Sequence, residues 1–124
     1  MPRILVVDDE PDIRTLLRIT LERAEGLEVV VVGSGAEALT TLGTDPFDLV
    51  LLDVMMPAMD GFETLERIRA LPRGEEVTVV FLTARTQDRD MDRYHEAGVT
   101  DALTKPFDPK ALVARVRELL GGAA

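Results

Sequence analysis

The chain has 124 residues, enough for one domain that buries about two-thirds of its unfolded surface. Its net charge of −9 opposes direct binding to nucleic acid, because such binding depends on Lys and Arg contacts with phosphates. The chain contains no cysteine and one histidine, which excludes disulfides and thiolate chemistry and argues against a zinc site.

Short apolar runs alternate with helical patterns from one end of the chain to the other. The predicted strands are residues 4–7, 27–32, 49–52 and 77–82, with a short fifth strand near 102–103. Each strand is followed by a segment with apolar residues at helical spacing. Five strands alternating with five helices predict an α/β fold, namely a single doubly wound (βα)5 domain over residues 1–124 with helices on both faces of a parallel sheet.

Local signals predict where several helices begin and end. Pro11 lies in the first turn of the first helix, where a missing N–H is tolerated. The sequence SGAE at 34–37 has the form of a capping box, and Asp60 and Asp108 are predicted to cap the third and fifth helices. The segment PRG at 72–74 is predicted to end the third helix.

Half of the residues in the fourth helical segment, RTQDRDMDRYHEAG, are charged. Its larger apolar groups are Met91 and Tyr94. We therefore predict that this helix is the least tightly packed of the five and the best candidate for a movable element.

Polar residues collect where the predicted strands end. Asp8 and Asp9 follow the first strand, and Asp53 follows the apolar third strand. Thr83 ends the fourth strand, and Lys105 follows the fifth. Because parallel strands end at one edge of a sheet, these five residues are expected to form one site there.

Each of these residues also has a simpler structural explanation. Asp8 and Asp9 could complement the dipole of the first helix. Thr83 could be an ordinary strand threonine, and Lys105 a solvated lysine. These explanations weaken because all of these residues would have to reach the same edge by chance. Three carboxylates at one edge would also repel each other by roughly 1 to 4 kcal/mol per pair at about 4 Å. A bound cation is therefore expected.

Mg²⁺ fits this set of residues because it binds through one or two carboxylates, keeps water ligands and shares phosphate oxygens, whereas the oxygen-rich loop of a Ca²⁺ site is missing. Asp53 is then a candidate nucleophile, since aspartate can form a covalent acyl phosphate. Lys105 and the hydroxyl of Thr83 would hold the transferring oxygens. Catalysis would come mainly from charge stabilisation and positioning.

The sequence resembles the response regulator receiver domain in four motifs, ILVVDDEPDIR, LVLLDVMMPAMDG, VVFLTA and DALTKPF. The resemblance covers essentially the whole chain and implies the flavodoxin-like strand order 2-1-3-4-5. It implies a phosphoacceptor switch of a two-component or phosphorelay system. Such a domain catalyses its own phosphorylation and its slow dephosphorylation, although it is primarily a signalling switch.

The resemblance also implies roles for the acidic residues. Asp53 would accept a phosphoryl group from a phosphohistidine on a partner protein. Asp9, Asp53 and the backbone carbonyl of Met55 would bind Mg²⁺. Asp8 would act on the same ion through water.

The remaining implied roles concern the response to phosphorylation. Lys105 would pair with the phosphoryl oxygens, the bond between Lys105 and Pro106 would be cis, and Thr83 would turn inward to donate a hydrogen bond. The sequence departs from the family at Ala102, where receivers commonly carry a Tyr or Phe that moves with the threonine. Tyr94 is a candidate to replace part of that aromatic group.

The expected partners are a sensor histidine kinase or histidine phosphotransfer protein and a downstream effector protein, with no direct nucleic acid and no membrane. We expect a monomer or a weak, phosphorylation-dependent homodimer. A cytoplasmic location is expected because the sequence has no apolar run of about 20 residues and no leader-like start. Two alternatives stay open, a stand-alone receiver and a receiver excised from a larger regulator or hybrid kinase.

Two other functions fit parts of the sequence. Gly33, Gly35 and Ala38 match a dinucleotide-binding fingerprint, with Asp53 twenty residues after Gly33. This fingerprint leaves the other strand-end residues without a role, and five strands are too few for the usual six-stranded unit. An aspartyl-phosphate hydrolase of the haloacid dehalogenase type would also use Asp and Mg²⁺, but such enzymes usually carry an acid where this chain has Met55.

Overall fold

The computed structural model describes residues 1–121, and in this range five strands alternate with five helices. The strands are β1 (Arg3–Val7), β2 (Glu28–Val32), β3 (Leu49–Asp53), β4 (Thr78–Thr83) and β5 (Asp101–Thr104). The helices are α1 (Pro11–Glu22), α2 (Gly35–Thr44), α3 (Gly61–Arg69), α4 (Asp88–Ala97) and α5 (Pro109–Leu119). None of these helices has the length and apolar character needed to cross a bilayer.

The five strands form one parallel sheet in the order β2-β1-β3-β4-β5. The predicted α/β class and the implied strand order are therefore confirmed. Because the chain runs from β1 outward to β2 and then back across β1 to β3, the carboxyl ends of β1 and β3 are neighbours. This reversal creates the crevice in which ligands of such sheets bind.

Side chains of the central strands alternate between two apolar layers. Leu52 and Phe81 belong to the layer that α2, α3 and α4 cover, whereas Leu51 and Leu82 belong to the layer that α1 and α5 cover. All four side chains are essentially inaccessible to solvent. Burial on both faces explains why these strands read as continuous apolar runs in the sequence.

Two element boundaries differ from the sequence prediction in a way that matters for the site. Strands β3 and β4 each run one residue further than predicted, because Asp53 pairs with Leu82 and Thr83 pairs with Thr104 in the sheet register. The backbones of these two polar residues are therefore held by the sheet itself. Both side chains are placed by strand geometry and not by a loop.

Helix α3 ends at Arg69, three residues before the predicted stop. The backbone N–H of Ala70 bonds to the carbonyl of Arg67, and that of Leu71 bonds to the carbonyl of Ile68. These three-residue hydrogen bonds tighten the last turn, so the helix closes before the chain reaches Pro72.

The predicted helix starts are confirmed. Asp60 Oδ1 accepts a hydrogen bond of 2.9 Å from the N–H of Glu63, and Asp108 Oδ1 accepts one of 3.2 Å from the N–H of Lys110. Ser34 Oγ accepts from the N–H of Glu37 at 3.1 Å, which is the serine half of the predicted capping box. The Glu37 side chain makes no return bond to the N–H of Ser34, so the box is only half formed. These caps fix the entry of α2, α3 and α5 onto the sheet.

Helix α4 has one buried residue, Tyr94, whereas each of the other helices has at least two. The prediction that α4 is the least tightly packed helix is therefore confirmed. The ring of Tyr94 packs against Phe81 and Phe62, with centroid distances of 5.3 Å and 5.9 Å. This aromatic contact attaches α4 to the core, and Met91 packs against the same apolar layer.

Candidate functional site

The centre of the site is a buried ion-pair cluster at the carboxyl edge of the sheet. Asp53, the last residue of β3, is only 3% exposed, and Asp8, which follows β1, is fully buried. The Nζ atom of Lys105 lies 2.8 Å from Asp8 Oδ2 and 3.3 Å from Asp53 Oδ1. One ammonium group therefore bridges two carboxylates from neighbouring strands.

The carboxylates outnumber the cation. Asp8, Asp9, Glu10 and Asp53 each offer an oxygen, and these four atoms all lie within 4.8 Å of one another. Sequence reasoning missed Glu10, although it stands in the same acidic run, because only the residues directly after the strand were considered. With Lys105 as the positive partner, an excess of negative charge remains, and hard oxygen atoms of this kind suit a divalent cation.

Hydrogen bonds within the β1–α1 loop hold Asp8 in this position. Its Oδ1 atom accepts from the N–H of Glu10 at 2.9 Å. The guanidinium of Arg14, one turn into α1, donates to the backbone carbonyl of Asp8 at 2.7 Å. The carboxylate of Asp8 is thus fixed by the loop on one side and by Lys105 on the other.

Burial and charge shift the protonation of the central pair. Burial raises the pKa of Asp53 to about 6, the charge of Asp8 acts in the same direction, and Lys105 opposes both. Burial alone would lower the pKa of Lys105, but its hydrogen bond to Asp8 and the charges of Asp53 and Asp8 outweigh this effect and raise it. Lys105 therefore stays charged, while Asp53 holds a proton more tightly than an ordinary aspartate.

The loop after β3 brings Met55 to the edge of the cluster. Its backbone N–H donates to Asp53 Oδ1 at 3.3 Å, and its side chain is exposed. The sequence-based role of the Met55 carbonyl as a metal ligand stays a prediction.

The same loop depends on Gly61, the first residue of α3. The N–H of Gly61 bonds to the carbonyl of Val54 at 2.8 Å. A Cβ atom at this position would lie 2.7 Å from the carbonyl oxygen of Asp53 and 2.8 Å from the Cα of Val54. Only glycine allows α3 to begin this close to the end of β3.

Thr83 lies beside this cluster, at the end of β4, and is buried. Its Oγ1 atom accepts from the N–H of Arg85 at 3.1 Å and lies 3.3 Å from the phenolic oxygen of Tyr94. Sequence reasoning considered Tyr94 without any geometric basis, because a helical pattern does not say which strand residue the ring will meet. Ala102 belongs to the same apolar layer as Tyr94.

The loop that carries Lys105 is held against β4. The N–H of Lys105 bonds to the carbonyl of Thr83 at 2.9 Å, and the bond between Lys105 and Pro106 is cis, as the resemblance implied. All five strand-end residues that the sequence singled out thus lie along the carboxyl ends of β1, β3, β4 and β5.

The two glycines of the dinucleotide-like sequence lie in different surroundings. A Cβ on Gly33 would meet the guanidinium of Arg14 at 3.0 Å. A Cβ on Gly35 would meet the side chains of Thr64 and Met59, because α2 and α3 approach closely there. Close packing of the two helices therefore accounts for Gly35, whereas at Gly33 the neighbour is the flexible end of the Arg14 side chain.

A family model for the response regulator receiver domain matches residues 4–117. The chain belongs to the response regulator receiver family. It is therefore the switch component of two-component signalling. The chemotaxis protein CheY4 of Vibrio cholerae has the same fold, with a TM-score of 0.89 and 33% identity over 96% of this chain and 98% of that one.

Two further relatives bear on the metal and on the domain context. The receiver domain of the sensor histidine kinase PA1611 of Pseudomonas aeruginosa, solved with magnesium in its active-site cleft, superposes with a TM-score of 0.86 and 31% identity, covering 97% of this receiver and 98% of that domain. The DNA-binding response regulator MtrA of Mycolicibacterium smegmatis is 46% identical over 95% of this receiver. This receiver spans 50% of the length of MtrA.

Proposed function

We propose that Asp53 is the phosphoacceptor of this receiver. The observation that carries this proposal is the contact of the Asp53 carboxylate with Lys105 at 3.3 Å, inside a cluster of carboxylates at the carboxyl edge of the sheet. A buried carboxylate with an adjacent fixed ammonium can attack phosphorus while the ammonium stabilises charge on the phosphoryl oxygens.

In the proposed reaction a carboxylate oxygen of Asp53 attacks the phosphorus of a phosphohistidine on the partner. A new O–P bond forms and the P–N bond breaks, with its electron pair left on the imidazole nitrogen, which is protonated from solvent. Lys105 holds a phosphoryl oxygen, and Thr83 donates its hydroxyl proton to another. Later attack by water on phosphorus releases inorganic phosphate and restores the carboxylate.

We propose Mg²⁺ as the cofactor, held by Asp9, Asp53 and the backbone carbonyl of Met55, with Asp8 acting on the ion through water. The clustered carboxylate oxygens support this assignment, because Mg²⁺ takes hard oxygen ligands and shares phosphate oxygens. The magnesium in the cleft of the PA1611 receiver supports it as well. Bound there, Mg²⁺ would neutralise negative charge on the phosphoryl group.

We propose further that residues 1–124 form a single receiver domain. Its partners would be a sensor histidine kinase or histidine phosphotransfer protein and a downstream effector. The chain would act in the cytoplasm without binding nucleic acid itself, as a monomer or a weak homodimer. The length of MtrA, which is named a DNA-binding regulator, supports the alternative that such a receiver works within a larger regulator.

The test is incubation with acetyl phosphate and Mg²⁺, followed by intact-mass measurement. We expect the wild-type chain to gain one phosphoryl group, and we expect EDTA to prevent the gain. The variant Asp53→Asn should gain none, because an amide is too weak a nucleophile.

The matched control is Asp48→Asn, the same change at the exposed opposite end of β3. This variant should be phosphorylated like the wild type. Equal phosphorylation of Asp53→Asn would overturn the assignment of the acceptor, whereas equal phosphorylation in EDTA would overturn the assignment of the cofactor.

A further inference from the structure

The hydroxyl of Thr83 is part of a closed set of hydrogen bonds. The phenolic oxygen of Tyr94 lies 2.8 Å from the carbonyl oxygen of Arg85 and 3.3 Å from Thr83 Oγ1. The N–H of Arg85 donates to the same Thr83 oxygen at 3.1 Å. Since both Thr83 and Tyr94 are at least 95% buried, these groups find their partners in one another and not in solvent.

Counting protons gives the direction of each bond. The hydroxyl group of Tyr94 has one proton. In its bond with the Arg85 carbonyl the hydroxyl must be the donor, because a carbonyl is an acceptor alone. In the contact with Thr83, the phenolic oxygen must therefore accept. The single hydroxyl proton of Thr83 is committed to Tyr94.

We propose that Tyr94 is a positioning residue that couples the phosphorylation site to α4, because its phenolic oxygen holds the Thr83 proton until a phosphoryl group on Asp53 takes it. This inference rests on the proposed function of Asp53. Thr83 has one proton, so it cannot donate to Tyr94 and to a phosphoryl oxygen at the same time. Phosphorylation must break the bond between Thr83 and Tyr94.

The consequence of that break falls on α4. Tyr94 is the buried residue of α4, and its ring packs between Phe62 and Phe81. When the bond to Thr83 is lost, the Tyr94 hydroxyl keeps only its hydrogen bond to the Arg85 carbonyl. The loosely packed helix then gains freedom to shift, and the change at Thr83 is passed to the surface of α4.

The chain provides its own spectroscopic probe for this step. It contains one tyrosine and no tryptophan, so its tyrosine fluorescence comes from Tyr94. We expect fluorescence of the wild-type chain to change when beryllium fluoride, a phosphoryl analogue, is added with Mg²⁺. In Thr83→Val the fluorescence change should be lost, even at a beryllium fluoride concentration at which calorimetry shows that the site is saturated.

The second variant is Tyr94→Phe, which keeps the ring and removes the hydroxyl. It frees the Thr83 proton, so its affinity for beryllium fluoride, measured by calorimetry, should rise by about 2- to 12-fold, the range of one neutral hydrogen bond. Thr104→Val is the matched control, because the Thr104 hydroxyl bonds to Thr86 and not to Thr83. Its affinity and its fluorescence response should match those of the wild type.

The outcomes separate the two proposals. A wild-type chain that gains no phosphoryl mass would overturn the role of Asp53. A phosphorylated wild-type chain with unchanged tyrosine fluorescence, or a response retained in Thr83→Val, would overturn the role of Tyr94 alone. An affinity of Tyr94→Phe equal to or weaker than that of the wild type would do the same.

Discussion

When no metal ion is bound, the negative charge of buried Asp53 destabilises the folded state. Its pKa in the folded protein, about 6, is above its ordinary value of 3.8, so the folded state binds the proton more tightly than the unfolded state. The stability that this proton contributes is complete below about pH 4 and is lost as the pH rises through about 6. We expect Asp53→Asn in EDTA to raise the free energy of unfolding by about 1–3 kcal/mol at about pH 7.5.

Urea denaturation followed by circular dichroism over about pH 4 to 7.5 measures this difference. The advantage of Asp53→Asn should shrink between about pH 6 and pH 4, because the wild-type carboxyl is then protonated as well. Asp48→Asn, at the exposed end of the same strand, should show no comparable gain. A constant advantage across the whole range would contradict the assigned cause.

At the site, the sequence could predict the positions of some residues but not of others. The five strand-end residues were predictable, because parallel strands share one edge and each polar residue directly follows an apolar run. Glu10 and Tyr94 were harder, since their roles depend on distances that no spacing rule gives. Tyr94 meets Thr83 only because α4 packs with that face inward.

At the scale of elements, the approach of α3 to β3 determines the shape of the loop beside Asp53. Gly61→Ala would place a methyl group 2.7 Å from the Asp53 carbonyl oxygen, so the loop or the helix must move. We expect the free energy of unfolding to fall by about 1–3 kcal/mol, as for other overpacked positions. Thermal and urea unfolding measure this loss.

Gly43→Ala is the control for the same substitution in a helix without crowding. No atom lies within 4 Å of the added Cβ, and Gly43 lies within α2. Alanine should therefore stabilise the protein by about 0.5–1 kcal/mol through helix propensity. The account of Gly61 fails if both variants shift stability in the same direction by the same amount.

The elements themselves were largely predictable, because buried parallel strands and amphipathic helices have different periodicities. The residues at which these strands and helices end were less predictable. The extra residue of β3 and of β4 depends on pairing with a neighbouring strand, and the early end of α3 depends on its last turn tightening. Neither is a property of the local sequence.

At the scale of the whole molecule, cation binding should stabilise the fold globally. The clustered carboxylates come from the loop after β1 and from the end of β3, so the unfolded chain has no equivalent site. At free Mg²⁺ of about 100 times its dissociation constant, we expect about 2.7 kcal/mol of added stability and a higher melting temperature. Calorimetry at constant ionic strength measures the rise.

Asp9→Asn should lose most of this Mg²⁺ response, because it removes a carboxylate from the cluster. The same rise in Asp9→Asn as in the wild type would show that Mg²⁺ acts elsewhere on the acidic surface. Sodium chloride at the same ionic strength should change the melting temperatures of the wild type and of Asp9→Asn by nearly the same amount.

The strand order also has a consequence for the protein during its synthesis. The ribosome adds Asp8, Asp9 and Asp53 to the chain well before Lys105, which the native fold places 2.8 Å from Asp8. A nascent chain that pairs β1 with β3 too early would bring the carboxylates together without their ammonium partner. We expect their mutual repulsion to disfavour such partial structures, and so to delay closure of the sheet until the fifth strand is available.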